Sequence, residues 1–356
     1  MLSFARRSAV QIAGRALGDR TLSQLARARG VRGIVLNYHI MRADSLRAHL
    51  DVLTDLFEIV PLDELMLRCR EDGPPRGRVP AALTFDDGKR SHLTEVAPVL
   101  QERGLHASFF VTSDHCDRGT IHWFDLLDRI QGEFDEFMAG GDGPAAGDPV
   151  FRGALKEELR EVVRERAAPR RSGAAPVLEL DRNRLKLLEA ARRDAILVEL
   201  ATQLGIDLAP SNDDERCLTP DEVAELARQG FTVGSHSATH PVLTREGLDR
   251  VWHEVADSQS RIREWIGAPV RHFCYPNGNA SAETEALTRK AGYEAAWTTV
   301  PLWMGARENP HRLPRVQVFE HYDRGELCLK AALATVGALP NPDGTGRAYR
   351  KLSRAA

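Results

Sequence analysis

The sequence predicts an α/β protein in which a parallel sheet is wrapped by helices. Short apolar runs that end in polar residues recur along the chain, and each is followed by a stretch with helical apolar spacing. The length, 356 residues, is within reach of a single α/β barrel with insertions. Apolar residues at 42% and charged residues at 28% are ordinary for a soluble globular chain, so a core of useful size needs no disulfide or structural metal.

The elements follow in order. Residues 1–32 read as a basic amphipathic helix, because Arg6, Arg7, Arg15 and Arg20 interrupt any apolar core of a signal peptide. Such a helix either packs on the barrel or lies on an anionic membrane surface. GIVLNYH (33–39) reads as a buried strand ending at Tyr38 and His39, followed by the helical SLRAHLDVLTDLF. IVPLDELMLRCR passes from strand to helix, AALTF is a strand running into an acidic turn, TEVAPVLQERGL is a helix stopped by Gly104, and HASFFVTS is the next strand.

The rhythm breaks over about 120–215, which reads as a helical insertion. Its Gly/Pro/Ala-rich loops at 140–149 and 168–176 separate charged helices, ALKEELREVVRERA and RLKLLEAARRDAILVELATQLG. It is either a lid or a solvated decoration. The barrel pattern resumes with LTPDEVAELARQG, where Thr219, Pro220, Glu222 and Gly230 supply cap, first turn, capping box and stop. FTVGSHSATH, VRHFCYPNG, YEAAWTTV and RLPRVQV are further strand-like runs, and 341–356 is a polar tail closing a domain of 33–340.

Chemistry in parallel α/β folds gathers at the C-terminal ends of strands. Asp86 and Asp87 stand together at one such end, and two adjacent carboxylates repel unless a cation compensates them. His236 and His240 stand at another, at a spacing that lets two imidazoles share one ion. One Asp and two His leave a coordination position open for water, the pattern of a hydrolytic metal centre. Tyr275-Pro276-Asn277-Gly278 ends a third strand in a turn whose N–H groups could face an oxyanion. Five scattered cysteines, without a CxxC pair, supply neither a disulfide framework nor a cysteine zinc site and point to a reducing compartment. A net charge of −3 gives no reason to expect nucleic acid.

With these motifs in place the chain resembles the polysaccharide deacetylase family, carbohydrate esterase family 4 with the NodB-homology domain. TFDDG, HSATH and RHFCYPNG stand in the family's order, and the likeness spans about 33–320 apart from 120–215. The resemblance implies a deformed (β/α) barrel of about seven strands. It implies Asp86 as catalytic base and Asp87, His236 and His240 as ligands of a divalent metal, most simply zinc, with cobalt or nickel as alternatives. It places the Tyr275 N–H at the oxyanion and leaves Arg271 or Arg315 to pair with the base. Where many members carry Leu-x-His, this chain has Leu313-Pro314-Arg315. Tyr38-His39 matches a subgroup with a Tyr-His strand, so His39 is the expected general acid, with His311 second.

Trp297 and Trp303, near strand ends, are the expected sugar contacts. The expected activity is release of acetate from an N-acetylated glycan. O-acetyl ester cleavage, N-deacylation of a non-polymeric or lipid-linked sugar, and sugar binding without catalysis are the other readings. The expected location is cytoplasmic, with residues 1–32 as the only candidate for contact with the inner membrane surface.

Overall fold

The computed structural model of the chain describes residues 18–71, 77–138, 163–166, 177–337 and 339. Its frame is a run of parallel strands: β1 (Val31–Tyr38), β2 (Phe57–Ile59), β3 (Val79–Phe85) and β4 (Ser108–Val111). Helix α1 (Asp19–Arg29) precedes β1, α2 (Ala43–Leu56) and α3 (Leu62–Arg70) follow β1 and β2, and α4 (Ala97–Glu102) follows β3. After β4 come the short α5 (Ser113–Arg118) and the long α6 (Trp123–Met138). The insertion continues through β5 (Val163–Arg166), β6 (Val177–Leu180), α7 (Arg182–Leu185) and α8 (Ala190–Leu204). The second half runs α9 (Pro220–Arg228), β7 (Thr232–Ser235), α10 (Leu248–Ile266), β8 (His272–Cys274), α11 (Ala282–Ala291) and β9 (Ala295–Trp297). It ends in β10 (Met304–Gly305), β11 (Val316–Gln317) and α12 (Arg324–Val336).

Strands β1, β3, β4, β7, β8 and β9 lie side by side in that order, all parallel. The stretch 313–317 closes the ring, because Leu313 bridges Trp297 of β9 while Val316 and Gln317 pair with Leu36 and Asn37 of β1. The result is the expected deformed seven-stranded barrel, with β2 and β10 as outer additions. Alternation along the strands sorts the side chains. Val35, Ala82, Phe110, Cys274, Trp297 and Leu313 fill the barrel interior. Leu36, Tyr38, Leu83, Phe85, Phe109 and Val111 pack outward under the helices in a separate cluster. Each large apolar side chain buried this way contributes roughly 1.5–3 kcal/mol.

The described part of the N-terminal helix packs on this outer layer through Leu22 and Ala26, both fully buried. Packing on the barrel accounts for residues 19–29; the remainder of the expected 1–32 helix, residues 1–17 above all, lies outside the described residues, as does the 341–356 tail. No helix among the described residues is long and apolar enough to cross a membrane.

One expectation needs correction, and one element was not expected. The insertion is not wholly helical: Val163–Arg166, read as part of a charged helix, pairs antiparallel with Val177–Leu180. Val163 and Val177 are β-branched and suit a strand once a partner is present. The C-terminal helix α12, capped by Asp323 with Glu326, was not anticipated. By contrast, the capping box of Thr219 and Glu222 opens α9 as expected.

Candidate metal centre and active site

The strand ends bring the four motif residues together. Asp87 follows β3 with φ of +77°, and its Oδ1 lies 3.5 Å from Nε2 of both His236 and His240. His236 follows β7 directly. His240 reaches the same point because the loop between them turns through Ser237 at φ +67° and itself at φ +57°. Glu254 of α10 holds that loop by accepting the N–H groups of Ala238 and Thr239 at 3.0 and 2.8 Å. The Ser237 hydroxyl accepts the His240 N–H at 3.0 Å.

The donor set fits a divalent ion. One atom each from Asp87, His236 and His240 falls within 4.8 Å of the others, and all three residues are buried. The Nδ1 of His236 lies 2.8 Å from the Cys274 carbonyl, to which it donates as the protonated nitrogen, leaving the Nε2 lone pair toward Asp87. Asp87 Oδ1 is buried without a hydrogen-bond donor, a costly state that a cation relieves. Burial alone would raise the Asp87 carboxyl, but the His236 contact and the imidazoles of His39 and His240 hold it well below the usual carboxylate range.

Asp86 is held differently. Arg315, fully buried on the closing stretch, donates Nη1 to Asp86 Oδ1 at 2.8 Å and Nη2 to Oδ2 at 2.7 Å. The same guanidinium donates to Thr84 Oγ1, the Thr298 carbonyl and Cys274 Sγ. Burial opposes ionisation of Asp86, yet the Arg315 charge prevails and brings the carboxyl down to about 2. A second grouping, Asp86, His236 and Cys274, also lies within 4.8 Å, but Arg315 already occupies both Asp86 oxygens.

The other expected site residues divide. His39 lines the cleft beside Asp86 and Asp87, and its carbonyl is 2.8 Å from Nε2 of His92. Arg271 is half exposed and pairs with Asp63 and Glu294, so Arg315 and not Arg271 pairs with Asp86, the expected base. Tyr275 lines the cleft, but its N–H donates to the Trp297 carbonyl at 3.0 Å and its hydroxyl to the His311 carbonyl. The ladder between β8 and β9 therefore takes the amide expected at an oxyanion. Trp297 is fully buried inside the barrel, where alternation along β9 turns it inward against Cys274. Trp303 packs edge-on to Phe57 and donates to the Ala331 carbonyl. Neither tryptophan, nor His311, is part of the cleft lining.

The profile of a family described as polysaccharide deacetylase matches residues 74–165 and 194–296, more than half of the chain. The chain belongs to the polysaccharide deacetylase family. Among curated proteins, YxkH of Bacillus subtilis, named for the same activity, is 28% identical over 101 residues, 28% of this chain and 36% of that protein. An uncharacterized 30.6 kDa protein of Geobacillus stearothermophilus is 32% identical over 75 residues, 21% of this chain and 28% of that one. The chain thus aligns with about a third of the length of these relatives. Among solved structures, the deacetylase PplD of Streptococcus pyogenes in complex with acetate is 14% identical with a TM-score of 0.52, over 85% of this chain and 99% of that one. At that identity the likeness is one of fold.

The cleft over the candidate centre has a volume of about 410 Å³. Sequence reasoning missed several of its walls: Trp123 and Phe124 of α6, Lys186 after α7, Thr299 after β9, and Gln317 and Phe319 at the closing strand. Trp123 carried no distinguishing signal among five tryptophans, and the insertion's placement over the barrel mouth has no local sequence marker.

Proposed function

We propose that the protein is a metal-dependent deacetylase that removes N-acetyl groups from an amino-sugar glycan and releases acetate. The observation that carries this reading is the pairing of an Asp87/His236/His240 donor set with a separate, ionised carboxylate, Asp86, one residue away. A divalent ion held by those three residues, zinc being the simplest choice and cobalt or nickel also suited to the donors, would polarise an acyl carbonyl and acidify a bound water.

The chain's own residues then have distinct tasks. Asp86 accepts the proton of the attacking water at a carboxylate oxygen. A carboxyl with a pKa near 2 is ionised at every working pH, so it is always ready, though weakly basic. Arg315 orients that carboxylate and keeps it charged. His39, which lines the cleft, would give a proton to the departing amine. The Tyr275 N–H, engaged by Trp297, is assigned no step.

The test compares acetate release by the metal-loaded protein from N-acetylated and O-acetylated sugars of the same skeleton. Release from the N-acetylated series supports the reading. Preferential release from esters would replace it with an O-acetyl esterase, and binding of both without release would indicate a sugar-binding protein.

A further inference from the structure

The cleft is walled along one side by the insertion. Lys89, after β3, ion-pairs with Asp125 of α6, and these side chains are only 1% and 10% exposed. Next to them His122 Nε2 lies 3.1 Å from Thr112 Oγ1 at the end of β4. Phe124 stands edge-on to His240 at 5.3 Å, and the Arg193 guanidinium of α8 covers the Trp123 ring at 4.5 Å. Past β7, the Ala190 N–H donates to Glu246 at 2.7 Å. At β8, Lys186 Nζ donates to Asn277 Oδ1 at 2.6 Å. The insertion is thereby fastened to β3, β4, β7 and β8 in succession, four adjacent positions of the ring.

Beside β1 the end of the insertion reaches only Arg42, which pairs with Asp214; β9 and 313–317 have no such cover among the described residues. Phe319 stands there, 42% exposed and stacked on His321. In a seven-membered ring the closing stretch lies across from β4 and β7, so Phe319 and the Trp123/Phe124 wall flank the metal centre from opposite sides. A volume of about 410 Å³ is near the small end of ligand pockets, which run from about 300 to 1,000 Å³. The ring also meets Lys330 Nζ at 5.8 Å, and its exposed part offers an apolar contact to a sugar at the open side.

We propose that the site takes a chain-terminal N-acetylated sugar, the terminal ring stopped by the insertion wall and the next unit leaving over Phe319. This rests on the reading of the centre as a glycan deacetylase. It makes the insertion the part of the chain that decides which unit of a glycan reacts.

The experiment uses the full chain loaded with zinc and N-acetylglucosamine oligomers from the disaccharide to the hexasaccharide, with product sequencing by mass spectrometry. One acetate lost per chain, always at the same end, is expected. Phe319→Ala should lower kcat/KM on the oligomers by about tenfold while leaving the site of deacetylation unchanged. Acetate lost from internal units would overturn the proposal. A parallel titration of the same oligomers into Asp86→Asn protein keeps the two claims apart. Affinity that is flat beyond the disaccharide supports the terminal site even if no acetate is released, an outcome that would defeat only the deacetylase reading. Affinity that climbs with every added unit contradicts the terminal site, and absence of both binding and release at all lengths overturns both.

Discussion

Asp86 and Asp87 sit side by side, yet Arg315 takes both oxygens of the first while Oδ1 of the second has no donor. On the proposed reading, that difference gives Asp86 the charge-holding role and Asp87 the ion-holding one. Asp86→Asn should cost about 10²–10⁴-fold in kcat with zinc binding by calorimetry unchanged; retained turnover would remove Asp86 from the chemistry. Arg315→Met should cost about 3–5 kcal/mol of stability at neutral pH, since it strands a buried carboxylate. The sign of its pH dependence follows from the direction of the shift. With a folded pKa near 2 against an ordinary value of about 3.9, Asp86 contributes stability that is present above about pH 4 and is lost as pH falls through about 2. The Tm deficit of Arg315→Met should therefore be larger at pH 7 than at pH 3, where the variant's carboxyl is neutral and carries no penalty. An equal deficit at both values would mean that packing, not charge, is what Arg315 supplies. The motif residues were legible because adjacent carboxylates and paired imidazoles are unusual at strand ends. The choice between Arg271 and Arg315 was not, because it depends on two strands remote in sequence closing a ring.

At the scale of elements, the turns that aim the site rest on close approaches. A Cβ at Gly278 would come within 2.0 Å of Thr299 Oγ1 and 2.6 Å of its N, at a φ of +78°. At Gly230, φ is +88° and the space is open. Gly230→Ala should cost only the left-handed backbone penalty, about 1–2 kcal/mol. Gly278→Ala should cost more, and should also weaken metal-dependent activity by shifting the Tyr275–Asn277 turn. Chemical denaturation of the two variants checks the order, and equal losses would contradict it. Lys89→Met, which leaves Asp125 with the His122 N–H but without its cation, should cost about 3–5 kcal/mol and loosen α6 before the barrel, visible as faster amide exchange over 123–133. The strands and most helices were readable from alternation, helical spacing and caps such as Thr219. The β5–β6 pairing was not, because a charged stretch with helical spacing becomes a strand only when a partner lies alongside. Trp297 was misjudged for a similar reason: a tryptophan at a strand end faces cleft or core according to register, and β9 turns it inward.

For the whole molecule, a seven-stranded ring supplies the strand ends, the closing stretch delivers Arg315 beneath Asp86, and the insertion raises a wall over the candidate metal centre. The order of motifs along the chain made the ring and its centre legible. The wall was not, since its contacts with Lys89, Asn277 and Glu246 join segments whose proximity only the folded chain reveals. The central claim is that Asp87, His236 and His240 hold the ion on which deacetylation depends. It is tested most directly by acetate release from N-acetylglucosamine oligomers after chelation, and again after zinc, cobalt or nickel is restored, in the wild-type protein and in Asp87→Ala. Release that stops on chelation, returns with metal and never returns in Asp87→Ala is the predicted result; release that survives chelation, or that Asp87→Ala retains in full, would contradict it.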